Sequence, residues 1–147
     1  LKKKITIIIT CFNHQKYLRK CLLSILNQKK NKLPFDIIFV DDKSSDNSLL
    51  ISKKILKNIK NVKIIENKKN LGLTKSCNKA IKNCKTEYFI RLDSDDYVSN
   101  FFVYNFEKII LKKKYDLILC NRVEFKKTSR RNIDITTNKL NIFKLIS

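Results

Sequence analysis

Ile5-Thr6-Ile7-Ile8-Ile9-Thr10-Cys11 is β-branched and almost continuously apolar, the pattern of a strand covered on both faces in a parallel sheet. Asn13 follows as a candidate helix cap, and His14 reads as a polar residue at the helix start. Leu18, Cys21, Leu22, Ile25 and Leu26 then recur at helical spacing until Asn27 to Pro34 ends the helix. Phe35 to Val40 repeats the buried-strand pattern and runs into Asp41-Asp42-Lys43-Ser44-Ser45-Asp46. There Ser45 or Asp46 is placed to cap a second helix that turns Ile51, Ile55, Leu56 and Ile59 inward.

The alternation continues. Val62 to Ile65 predicts a shorter third strand, leading through a polar loop to Gly72 and a helix with Leu73, Cys77, Ala80, Ile81 and Cys84 on one side. Glu87 to Leu92 predicts a fourth strand, followed by a helix with Phe102, Phe106, Ile109 and Ile110 inward and a fifth strand from Asp116 to Cys120. Strand and helix in strict turn imply right-handed crossovers and a mainly parallel sheet, so the class is α/β. Beyond Arg122 the pattern weakens, and Lys139 to Ser147 is an apolar-basic piece with no evident partner.

The 147 residues suffice for one domain with a real core. No apolar run is long enough to cross a bilayer, and the start lacks a signal-peptide cleavage pattern. The chain contains no Met, so a fragment of a longer chain is expected. The five cysteines form no C-x-x-C pair, and four sit where a small hydrophobe belongs, as reduced core residues of a cytosolic protein do. With one histidine, His14, a zinc site or a Ser-His-Asp triad has little to draw on. The net charge of +20 is compatible with nucleic acid, an anionic membrane or a diphosphate substrate. The lysines are scattered, however, which reads more simply as a bias decorating solvated faces.

Arg91-Leu92-Asp93-Ser94-Asp95-Asp96 puts three carboxylates directly after an apolar strand. Alternation along extended backbone would let Asp93 and Asp95 reach one Mg²⁺ or Mn²⁺ while Ser94 points away. Taken alone, the stretch reads more simply as a solvated acidic turn. A calcium-binding loop is excluded, because Val98 stands where glycine is required and Tyr104 where the bidentate acid is required. In a parallel sheet the loops after the strands gather on one edge, where ligands bind. The unusual polar groups lie in those loops: Asn13 and His14, Asp41 and Asp42, Asn67 to Gly72, Asp93 to Asp96. Gly72 is the only glycine, which rules out the glycine-rich phosphate loops. Any diphosphate bound here needs a metal and lysines, with Asp93 and Asp95 as ligands and Lys75 as a counter-charge. Asp41 or Asp42 could then accept from a base or ribose, although the pair reads equally well as a helix-entry turn.

These motifs, in this order and spacing from residue 5 to 120, resemble the nucleotide-sugar half of the family 2 glycosyltransferases with the GT-A fold. The resemblance implies inverting transfer of a sugar from a nucleoside diphosphate, with a UDP-sugar expected, onto a glycan or lipid-linked acceptor in cell-envelope polysaccharide synthesis. It implies Mn²⁺ or Mg²⁺ held through a D-x-D motif by Asp93 and Asp95. Nucleotide contacts are implied for Cys11, Asn13, Asp41, Asp42, Asn70, Gly72, Lys75, Asp93 and Ser94. Residues 1–125 would form the donor-binding domain, with 126–147 the incomplete start of an acceptor-side region or a tail. The catalytic base is expected beyond residue 147; Glu124 and Asp134 are weaker candidates. Lys43, where the family often has Gly, and Cys77, where some members have Arg, depart from the pattern. A cytoplasmic location, at the inner face of the membrane, is expected, with peripheral membrane association and no nucleic acid partner. A donor-binding relic without activity and a basic nucleic-acid-binding module are the alternatives.

Overall fold

The computed structural model describes residues 4–118 and 142–143. Its elements run β1 (Ile5–Cys11), α1 (Gln15–Leu26), β2 (Asp36–Asp41), α2 (Ser48–Leu56), β3 (Val62–Glu66), α3 (Leu73–Lys82), β4 (Tyr88–Asp93), α4 (Phe102–Ile110), β5 (Leu117–Ile118) and β6 (Ile142–Phe143). By its contacts the chain divides into two units, Leu1–Glu107 and Lys108–Ser147.

The first unit carries a four-stranded sheet in the order β3-β2-β1-β4, with every pairing parallel. This is the α/β architecture that the alternating pattern predicts. All of β1 is buried, as is β2 after its first residue, because both are central and covered on both faces. Ile8, Ile38, Val40 and Ile65 pack with Ala80 of α3, and Ile81 and Cys84 close over them. The opposite core takes Leu18, Cys21, Leu22 and Ile25 from α1. Burying a side chain of this size contributes about 1.5–3 kcal/mol.

Helical faces differ in detail from expectation. In α2 the buried stripe is Ser48, Ser52 and Leu56, with Ile51 and Ile55 half-buried. Ile59 lies beyond the helix end and is exposed. In α3 the buried residues are Ser76 and Ala80, while Leu73 is 54% exposed. In α4 Phe106 and Ile110 are buried as expected and Val103 joins them, while Phe102 and Ile109 are half-buried, the Phe102 ring 4.9 Å from that of Phe106.

The fifth strand is a correction. Leu117–Ile118 does not extend the parallel sheet but pairs antiparallel with Ile142–Phe143 in a second, two-stranded sheet. The terminal apolar piece therefore has a partner that its own sequence does not advertise. Cys120, Glu124 and Asp134 lie outside the described residues. Among the described residues no helix is long and apolar enough to cross a membrane.

Candidate functional site

Register builds the site. Thr10 stands opposite Asp93 and Cys11 opposite Asp41, so β1, β2 and β4 end together at one edge of the sheet. A cleft of about 470 Å³ opens there, lined by Cys11, Asp42, Asn70, Gly72, Asp93, Ser94 and Asp95 among others. The loops after β1, β2, β3 and β4 thus converge on one cavity.

Asp42 organises one wall. It is 3% exposed, yet its carboxylate has dense company. Oδ1 accepts from Asn67 Nδ2 and from the Leu71 amide, each at 2.8 Å, and Oδ2 accepts from the Gly72 amide at 2.8 Å. Burial pushes this carboxyl up, but hydrogen bonds from Leu71, Asn67, Ser76 and Gly72 outweigh it and hold it below the ordinary carboxylate value.

Gly72 begins α3 with φ 82° and ψ 160°, torsions that are accessible essentially to glycine alone. A Cβ there would meet nothing within 4 Å, so backbone conformation rather than crowding selects the residue. Leu73 and Ser76 join it in lining the cleft. Lys75 does not line it, because one residue turns a helix by about 100° and Ser76 already faces in.

The opposite wall is the acidic stretch, and its geometry differs from the extended form that strand alternation suggests. β4 ends at Asp93, and the Asp96 amide donates to the Asp93 carbonyl at 3.0 Å, closing a turn. Asp93, Ser94 and Asp95 therefore all border the same cavity. Asp93 is half-buried, and its Oδ2 accepts from Arg91 Nη2 at 2.9 Å. Asp95 is exposed, while Ser94 is 1% exposed with its Oγ 2.7 Å from His14 Nδ1. Among the described residues no three His, Cys, Asp or Glu side chains form a cation cage.

Asn13 and Asp41 serve the rim from behind. Asn13 caps no helix: it adopts φ 57° and its Oδ1 accepts from the Ser45 amide at 2.8 Å and the Asp46 amide at 3.4 Å. Asparagine tolerates this left-handed conformation better than most residues. Lys43 adopts φ 64°, the torsion a glycine would take more easily. Capping falls to Asp46, whose Oδ2 accepts from the Gln15 amide at the start of α1 and whose Oδ1 accepts from the Ser48 amide at the start of α2. Asp41 accepts from the Ser44 amide through Oδ2, and its buried Oδ1 has no hydrogen-bond partner among the described residues. Neither Asn13 nor Asp41 lines the cleft.

Thr10, Phe12, His14, Leu73 and Ser76 line the cleft without having been singled out as contacts. For Leu73 and Ser76 the signal was available, since they stand three residues apart on one face of the helix that Gly72 precedes. Thr10 Oγ1 is buried and unpartnered among the described residues, a polar atom at the cavity wall. Burial raises the Cys11 thiol pKa above its ordinary value despite hydrogen bonds from Ser94, Ser48 and His14.

The family model for glycosyl transferase family 2 matches residues 6–145. The chain belongs to this family. It is 41% identical over 109 residues to a poly(ribitol-phosphate) beta-glucosyltransferase of Bacillus spizizenii, a match covering 71% of the chain and 17% of that protein. The crystal structure of residues 1–349 of TarS from S. aureus, in complex with UDP-GlcNAc, superposes with a TM-score of 0.69 at 31% identity. That match covers 74% of the chain and 31% of the TarS structure. A mannosyltransferase from Pyrobaculum calidifontis, in complex with GDP-Man and Mn²⁺, shares the fold with a TM-score of 0.67 at 17% identity, over 75% of this chain and 33% of that one. This glycosyl transferase family 2 chain thus spans about a sixth of the length of the Bacillus relative and a third of each crystallised domain.

Proposed function

We propose that this chain is the donor-binding part of an inverting glycosyltransferase, which moves a sugar from uridine diphosphate to an acceptor hydroxyl in cell-envelope polymer synthesis. One observation carries the reading: Asp42 on one wall and Asp93 with Asp95 on the other border a single cavity of about 470 Å³. The UDP and UDP-GlcNAc complexes of TarS support the choice of nucleotide, and the name of the Bacillus relative supports the transfer and the envelope polymer.

Asp42, at the cleft wall, is placed to meet a base N–H or a ribose hydroxyl, and the unpartnered Thr10 hydroxyl offers a further contact. Asn70, whose Oδ1 accepts from the Gly72 amide at 3.1 Å, braces the loop that leads into α3. Asp93 and Asp95 bring hard carboxylate oxygens to the cleft and would hold Mn²⁺ or Mg²⁺ there. Bound there, the metal supplies Lewis-acid stabilisation of the charge that develops on the leaving diphosphate. Arg91 holds the Asp93 carboxylate in one orientation, and His14 holds Ser94, so the turn is organised in advance. An acceptor hydroxyl attacking the anomeric carbon also needs a base. We place that base, with the acceptor side, in sequence beyond this chain. The reaction belongs at the cytoplasmic face of the membrane.

Titration calorimetry with UDP, GDP and CDP, each with and without Mn²⁺, tests the proposal. UDP is expected to bind best, gaining about tenfold or more from Mn²⁺, equivalent to about 1.4 kcal/mol. Equal binding of all three without metal dependence would contradict it.

A further inference from the structure

Beside the donor cleft lies a second concavity, of about 760 Å³, between α1 and the segment 97–100. Its walls include Lys16, Arg19 and Lys20 and no carboxylate. The three cations stand at i, i+3 and i+4 on α1, so they share one face. All three are exposed, and among the described residues none forms an ion pair. Like charges at this spacing repel, and Lys16 sits in the first turn, where the helix dipole disfavours a cation. Among the described residues folding gains no ion pair from the arrangement, while an anionic ligand would supply one.

The facing wall is built with equal definition. Tyr97 sits under Lys20, whose Nζ lies 3.5 Å from the ring centroid. The Val98 amide donates to Ser24 Oγ at 3.1 Å, and Gln28 Nε2 donates to the Ser99 carbonyl at 2.8 Å, pinning the segment to α1. Tyr97 follows Asp95 by two residues, so the basic concavity adjoins the acidic turn of the donor site.

We infer that this groove binds the phosphate groups of the acceptor, which is accordingly a phosphate-bearing polymer rather than a neutral glycan. The inference rests on the donor-site reading above for the direction in which the polymer must run, toward Asp93 and Asp95. A folded concavity next to the reaction centre suits one chain of spaced anions; a membrane surface would need no such groove. Lys20, steered by the Tyr97 ring, and Arg19, with its planar fork of donors, are the expected phosphate partners.

The test uses this chain with a synthetic glycerol phosphate hexamer, followed by backbone amide NMR in low salt. Residues 16–20 and 97–100 are expected to shift on titration. Arg19→Ala with Lys20→Ala is expected to weaken hexamer binding at least about tenfold, whereas Lys112→Ala with Lys113→Ala changes it less than about twofold. UDP binding with Mn²⁺ is expected to be unchanged in both variants, so a failure of the donor reading shows there and not in the hexamer arm. Absence of hexamer binding, equal weakening by both variant pairs, or equally tight binding of a neutral dextran hexamer would overturn the inference. So would shifts in these residues with phosphatidylglycerol vesicles or single-stranded DNA but not with the hexamer.

Discussion

The Gly72 amide donates to Asp42 Oδ2 at 2.8 Å, so the only glycine in the chain is held at the cleft by the carboxylate that follows β2. A conformation reserved for glycine and a buried anion are thereby coupled at one hydrogen bond.

Replacing Gly72 with alanine isolates the conformational half of this pair. The added methyl has room, but φ 82° with ψ 160° strains any L side chain. The expected cost is about 1–3 kcal/mol in urea unfolding. A variant as stable as the parent would mean that the torsion carries no strain.

Asp42→Asn isolates the electrostatic half. An amide cannot accept at both former oxygens, and its NH₂ would face backbone N–H groups. The loss expected in urea unfolding at neutral pH is about 2–3 kcal/mol. The sign with pH follows from the lowered pKa of Asp42 in the fold. Its contribution is fully present above the unfolded value, 3.8, and is lost as pH falls through the lower folded value. The gap between parent and Asp42→Asn should therefore close on acidification below about pH 4. A gap that widens there would contradict the assignment.

Asp46 joins two helix starts, accepting from Gln15 at 3.0 Å and Ser48 at 2.8 Å. Gln15 Oε1 in turn accepts from the Asn47 amide at 3.0 Å. Asp46→Ala should cost about 1–2 kcal/mol of thermal or urea stability, as loss of a good cap does. Ser45→Ala, which leaves both caps intact, should cost less, and the reverse order would refute the capping role.

Thiol labelling checks the core. Burial, with smaller contributions from Cys11 and the nearby acids, pushes Cys21 up to about 12. Cys11 and Cys21 should resist iodoacetamide at pH 8 in the folded chain, while half-buried Cys77 and Cys84 react before them. Early labelling of Cys21 would show that α1 is not packed as described.

Much of this was legible because β1 and β2 are central strands, whose burial on both faces leaves an almost continuous apolar run from Ile5 to Cys11 and an unbroken one from Ile37 to Val40. The fifth strand was misplaced because Leu117 and Ile118 look the same whether their partner is parallel or antiparallel, and pairing with Ile142 and Phe143 is not written in either segment. Asp42 and Asp41 are identical in type; alternation turns one into the cleft and the other toward Ser44, and only register decides which. The acidic stretch was legible as a cluster and, taken alone, as a turn; the extended alternation offered for metal ligation does not hold, since the Asp96 to Asp93 hydrogen bond breaks it. Asn13 showed a preference for a special local conformation, which a cap and a left-handed turn satisfy equally well.

The central claim, that Asp93 and Asp95 bring a metal and a UDP diphosphate into the cleft shared with Asp42, is met most directly by paramagnetic broadening. Amide NMR of this chain with UDP is compared after adding Mn²⁺ or Mg²⁺. Selective loss of the Asp93, Ser94, Asp95 and Gly72 signals with Mn²⁺, abolished by Asp95→Ala, is the predicted result. Broadening spread over the lysine-rich surface, or confined to residues away from this edge of the sheet, would contradict it.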